Sequence, residues 1–187
     1  KFTNLPISLV VHWKLIKSMQ VAHMKVEMGR KRVLDKRSRL KEIKISGYKS
    51  LGTDTQPISL KMDTLNIIIG ANGAGKSNFI SFFQMLANMM TGALQIYVGK
   101  NGTSESLLQF GSKRTKMISA SLVFENKIFT DTYEFSLVKA VNDTLIFAEE
   151  TISDGKNTFE LSSGQKESFL LTDQATHASE RAVKAIL

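Results

Sequence analysis

The chain has 187 residues, 42% hydrophobic and 22% charged, with a formal net charge of +8 and no cysteine. That length and balance suit one well-buried globular domain and exclude a disordered chain. The lack of cysteine excludes disulfides, thiolate zinc sites and iron–sulfur clusters.

The three histidines, His12, His23 and His177, are scattered without metal-ligand spacing. Charge is unevenly spread. Residues 1–49 hold thirteen Lys or Arg against three acids, Glu27, Asp35 and Glu42, so they carry +10 and the remainder −2. The basic excess is densest in RKRVLDKRSRLK, Arg30 to Lys41. Such a run can bind phosphate backbones by counterion release, and it equally suits a solvated tail. The longest apolar candidate, LPISLVVHWKLI, is interrupted by His12 and Lys14. It falls short of the roughly 18–20 residues a membrane span requires, and it lacks a signal-peptide cleavage pattern. We therefore expect no membrane partner and a cytoplasmic location.

Residues 1–39 read as a basic N-terminal extension or leader, with Met24 or Met28 a plausible natural start. Residues 40–187 change in texture and read as a folded domain. KEIKIS alternates apolar and polar positions as a strand does. GYKSLG follows as a turn. PISLKM alternates again, with Ile58, Leu60 and Met62 on one face. TLNIIIG is a compact apolar run of the kind buried on both faces in a central parallel strand. SNFISFFQMLANMMT repeats apolar residues at helical spacing through Phe79, Phe82, Phe83, Leu86, Ala87 and Met90. Thr91 to Thr115 reads as loops with a short strand at LQIYV. MISASLVFE, FTDTYEFSLV and TLIFAEETI then read as an antiparallel meander, the last two joined through the turn-forming pair Asn142-Asp143.

The strongest signal is GANGAGKS, Gly70 to Ser77, which fits G-x-x-x-x-G-K-[ST] at every fixed position. Glycines let successive backbone N–H groups converge on a phosphate where side chains would obstruct. Lys76 can set its ammonium against the β- and γ-phosphates, and the Ser77 hydroxyl can ligate Mg²⁺. A helix starting near Gly75 adds its positive end. The expected site is therefore Gly70, Asn72, Gly73, Ala74, Gly75, Lys76, Ser77 and Asn78, with Ser77 at the metal.

The order of pieces, IKISGYKSL (Ile43 to Leu51) and then NIIIGANGAGKSNF (Asn66 to Phe79), resembles the head domain of SMC/RecF-like ATPases. Those heads belong to the ABC class of P-loop proteins. The run LLQFGSKRTKMISASLVFEN, with NDTLIFAEE, resembles a bacterial predicted-ATPase branch of the AAA type, often associated with DNA or phage defence. The resemblance spans roughly residues 40 to 170. It implies that residues 40–187 are the N-terminal part of an ATPase head, with an α/β P-loop fold, an antiparallel β subdomain, and ATP with Mg²⁺ as ligands. It also implies a homodimer or partner subunit joined through ATP sandwiched between heads, and a possible DNA partner.

LSSGQ, Leu161 to Gln165, is similar to the LSGGQ signature of ATP-binding cassettes. The third position is Ser163 rather than glycine, and no hydrophobic run ending in acids follows. We read it as a look-alike. No run of four apolar residues ends in Asp or Asp-Glu; LIFAEE, Leu145 to Glu150, is the nearest imitation and fits a meander strand better. We therefore expect ATP binding without the Walker B carboxylates of hydrolysis, in a chain that is apparently incomplete. The alternatives are a non-hydrolysing ATP-binding module, a fragment without independent activity, and a transporter cassette subunit. Base selectivity is not legible; Tyr48 reads as a packing residue rather than an adenine platform.

Overall fold

In a computed structural model the described residues are 38–53, 55–161 and 163–187. His12, His23, LPISLVVHWKLI and most of the basic run lie outside them. The alternating segments pair into one antiparallel sheet of six strands in the order β2-β1-β3-β4-β5-β6. The strands are β1 (Arg39–Ser46), β2 (Ile58–Lys61), β3 (Met117–Glu125), β4 (Thr130–Lys139), β5 (Leu145–Ser153) and β6 (Thr158–Glu160).

Strand periodicity fixes which face is buried. On β3, Ile118, Ala120, Leu122 and Phe124 are all buried, as their alternation predicts. Register then carries the pattern across the sheet. Ile43 stands opposite Leu122 and Leu122 opposite Tyr133, while Ile45, Ala120 and Phe135 form the next row. Asn142 and Asp143 turn the chain between β4 and β5 with φ of 61° and 55°. Short polar residues tolerate that left-handed region better than most. A register shift after Ser136 sets Phe147 opposite Leu137 and Glu149 opposite Ser136. The opposite sheet face is polar and forms a shallow trough lined by Lys44, Ser121, Glu134 and Glu149. None of the residues lining that trough belongs to the phosphate loop.

Among the described residues four α-helices accompany the sheet: α1 (Lys76–Met89), α2 (Leu94–Lys100), α3 (Ser104–Leu107) and α4 (Asp173–Ile186). The α1 helix follows the glycine-rich loop as expected, but its buried stripe is Phe79, Phe82, Met85, Leu86 and Met89. Phe83, Ala87 and Met90 sit at the edge of that stripe, half-buried. Phe82 meets the Tyr48 ring edge-on at 5.3 Å, which sets the start of α1 against the GYKS turn. The α4 helix packs on β4 and β5, burying Ala182, Val183 and Ile186, and kinks at Ser179 (φ −156°).

Two expected elements differ. LQIYV is helical, not a strand, and α2 buries Leu94, Tyr97 and Val98 at helical spacing. The Glu167 carboxylate accepts from the N–H groups of Leu94 (2.8 Å) and Gln95 (3.1 Å). That capture satisfies two of the helix's orphan donors and overrides the strand preference of Ile96 and Val98. TLNIIIG opens on a bend at Thr64 and Leu65 and joins no ladder among the described residues. Leu65 (69%), Ile67 (74%) and Ile69 (90%) are exposed rather than buried. The physical reason is topological: every pairing among the described strands is antiparallel, so the run has no parallel neighbour beside it.

Candidate phosphate-binding site

The loop Gly70–Gly75 leaves the TLNIIIG run and enters α1 at Lys76. Gly75, the residue before α1, has φ +89° and ψ 3°. A Cβ there would stand 3.0 Å from Ser50 Oγ. Both the left-handed backbone and the close approach require glycine. Over Gly73 the space is open: a Cβ would meet nothing within 4 Å. Ala74 N–H turns back to the Ala71 carbonyl at 3.2 Å, closing a tight loop. The Lys76 ammonium arches over it, donating to Gly70 O (2.6 Å) and Ala71 O (2.7 Å). An ammonium has three donors, so two are spent fixing its position and the third can serve an anion.

Of the expected site residues, Gly70, Asn72, Gly73, Ala74 and Ser77 are exposed, while Gly75, Lys76 and Asn78 are half-buried. Ser77 lies in the first turn of α1, beside Lys76. Asn78 is turned toward the neighbouring turn instead, donating its amide to Ser50 Oγ at 2.8 Å. Within eight residues the segment supplies a fixed ammonium, a hydroxyl, an open glycine and a helix N-terminus. Those are the parts a polyphosphate with a bound Mg²⁺ requires.

The GYKS turn supports this loop through residues that spacing alone does not mark. The Tyr48 hydroxyl lies 2.7 Å from Ser81 Oγ and 2.9 Å from Tyr97 Oη. The Tyr97 hydroxyl donates to the Ser81 carbonyl at 2.8 Å, and Lys49 Nζ donates to Ser81 Oγ at 2.8 Å. Burial pushes the Tyr48 phenol far above its ordinary range and lowers the Lys49 ammonium. Tyr48 is fully buried, so it is a packing and bonding residue. Lys49 takes a left-handed φ of 49° to reach Ser81. The signal for these residues is the GYKS motif itself; their partners on α1 and α2 become visible only in three dimensions.

LIFAEE forms the body of β5, between β4 and β6. The Glu150 carboxylate is buried and accepts from Tyr133 Oη (2.6 Å), Ser168 Oγ (2.5 Å) and Phe169 N (2.8 Å). Those bonds pin the segment after LSSGQ to the sheet. LSSGQ itself lies alongside β5. Leu161 N–H donates to Glu150 O, Gly164 N–H to Phe147 O, and Phe147 N–H to Gln165 O. It opens no helix; the next α-helix starts at Asp173. Among the described residues no three His, Cys, Asp or Glu side chains gather as a metal-ligand group.

The glycine-rich loop entering α1 has the sequence pattern of a P-loop. A family model described as "AAA domain, putative AbiEii toxin, Type IV TA system" matches residues 65–178, more than half of the chain. The chain belongs to that AAA domain family, and its function is nucleotide binding of the P-loop ATPase kind. No curated protein matches it. No described helix is long and apolar enough to cross a membrane.

Proposed function

We propose that the chain binds ATP·Mg²⁺ at Gly70–Ser77 as the head of an SMC/RecF-like ATPase. The observation that carries this reading is the Lys76 ammonium, locked over the loop by Gly70 O and Ala71 O at the start of α1. Backbone N–H groups of Asn72, Gly73 and Gly75 to Ser77 would hold the phosphates, Lys76 would neutralise them, and Ser77 Oγ would take one position on Mg²⁺. Mg²⁺, when bound, would supply charge neutralisation to the phosphates. Asn78 keeps the first turn of α1 in place through Ser50. In this reading two heads close on ATP, with DNA a possible further partner. The family's description names a putative AbiEii toxin and a type IV TA system; this reading extends that to a place in phage defence.

A second reading has its own support. Glu150, the last carboxylate of LIFAEE, the nearest imitation of a Walker B run in this sequence, is spent on Tyr133, Ser168 and Phe169. A carboxylate so engaged cannot orient an attacking water. This favours a module that binds ATP without hydrolysing it and acts through nucleotide-dependent association. Single-turnover measurement with γ-labelled ATP and Mg²⁺ separates the two. Phosphate release by the purified chain, abolished in Ser77→Ala, supports the ATPase. Retained, intact ATP supports the binding module.

A further inference from the structure

The loop between α3 and β3, Gln109 to Lys116, has no part in the phosphate site. Its sequence is QFGSKRTK, with Lys113, Arg114 and Lys116 all exposed. At its tip Phe110 is 74% exposed and holds a left-handed φ of 57°. A bulky aromatic in that region is a steric outlier, which persists only where the surroundings fix it. Several bonds do so here. Gly111 N–H donates to Leu108 O (3.1 Å), Arg114 N–H to Gly111 O (3.1 Å), and Thr115 Oγ1 to Gln109 O (2.5 Å). Ser112 N–H donates to Glu105 Oε1 at 2.8 Å.

The ring is therefore presented to solvent by a loop that is itself held. The Arg114 guanidinium sits over it, 5.8 Å from the centroid, which orients the charge and leaves the other ring face open. The nearest acid, Glu105, does not cancel the basic charge. Its second oxygen is taken by the Lys139 ammonium at 2.9 Å. The loop also has a fixed footing, since Gln109 N–H donates to Gly47 O and Lys49 N–H to Leu107 O in the GYKS turn.

A fixed, exposed aromatic ring stands here among three exposed cations, of which Lys116 donates to Ser112 O at 3.0 Å and keeps its charge. Burying the ring would gain apolar contact, and the surrounding positive charge selects an anionic partner with flat groups. Single-stranded nucleic acid has both: bases stack on aromatic faces, and phosphates meet Lys and Arg. We propose that the Phe110 loop is a contact site for single-stranded nucleic acid, with one base stacked on the open face of Phe110. Lys113, Arg114 and Lys116 carry the neighbouring phosphates. The site is distinct from the nucleotide loop and does not depend on it.

The test is fluorescence anisotropy of a labelled twenty-residue oligothymidylate with the full chain, across a salt series. Phe110→Ala should weaken binding about tenfold, and Phe110→Trp should restore it, as loss and recovery of one stacked base require. Replacing Lys113, Arg114 and Lys116 by Gln should reduce the slope of log K against log salt by about 2. The basic run Arg30 to Lys41 contains no aromatic residue, so binding through that run alone would ignore Phe110→Ala. Lys76→Ala should leave strand affinity unchanged, which keeps this test independent of the ATP site. Unaltered affinity in Phe110→Ala, with folding intact by circular dichroism, would overturn the proposal. So would an equal loss of binding to poly-glutamate, which would assign the loop to acidic polypeptides.

Discussion

Ser50 Oγ accepts a hydrogen bond from the Asn78 side-chain amide at 2.8 Å, joining the GYKS turn to the first turn of α1. The same Ser50 oxygen would lie 3.0 Å from a Cβ on Gly75. The turn therefore fixes the exit of the phosphate loop. Asn78→Ala and Ser50→Ala should each lower ATP affinity roughly two- to tenfold, the worth of one partly exposed hydrogen bond. The double variant should be little worse than either single one, because both remove the same contact. Titration calorimetry on the three variants checks this.

The Glu150 anchor bears on stability instead. Its carboxylate accepts from two hydroxyls and one backbone N–H in a buried setting. Glu150→Gln turns an N–H₂ group toward some of those donors, and should cost about 2–3 kcal/mol in urea unfolding. ATP affinity should be unchanged, since none of its partners lies in the phosphate loop.

LSSGQ gives a sharper contrast. A working signature would press Ser163 and Gly164 onto a nucleotide phosphate, so Ser163→Arg would block turnover. With the segment bonded to β5 through Leu161, Gly164 and Gln165, we expect Ser163→Arg to leave nucleotide binding and any turnover at wild-type levels. Steady-state phosphate release is the measurement.

Glu105 gives a pH signature. The Lys139 ammonium, followed by the bonds from Ser112, holds its carboxyl down at about 2, below the ordinary 4.5. For a depressed acid the stabilisation is present above the unfolded value and lost as pH falls through the folded one. The melting-temperature gap between wild type and Glu105→Gln should thus be constant from pH 7 to about 5. It should close between about 4.5 and 2.

Much of the antiparallel sheet was legible because period-2 alternation needs no knowledge of partners. Ile118, Ala120, Leu122 and Phe124 declared their face, and Asn142-Asp143 declared their turn. The passage from the glycine-rich loop into α1 was legible for a similar reason, since the residues that make it are local to one motif. What failed was decided at a distance. Glu167, over seventy residues from Leu94, makes LQIYV a helix. The TLNIIIG run has strand composition, yet a strand is defined by a neighbour, and none pairs with it among the described residues. The α1 stripe rotated toward Met85 and Met89. Apolar spacing marks a broad arc of a helix, and tertiary packing chooses its centre. The grip of Tyr48, Lys49 and Ser50 on α1 joins residues about thirty positions apart, beyond any local pattern.

The most direct test is ATP·Mg²⁺ binding by calorimetry to the wild-type chain and to Lys76→Ala. A lysine that contacts the phosphates contributes a charge-assisted bond, so the variant should lose roughly tenfold to a hundredfold in affinity while melting at the wild-type temperature. Equal affinity in the two proteins would contradict nucleotide binding at Gly70–Ser77.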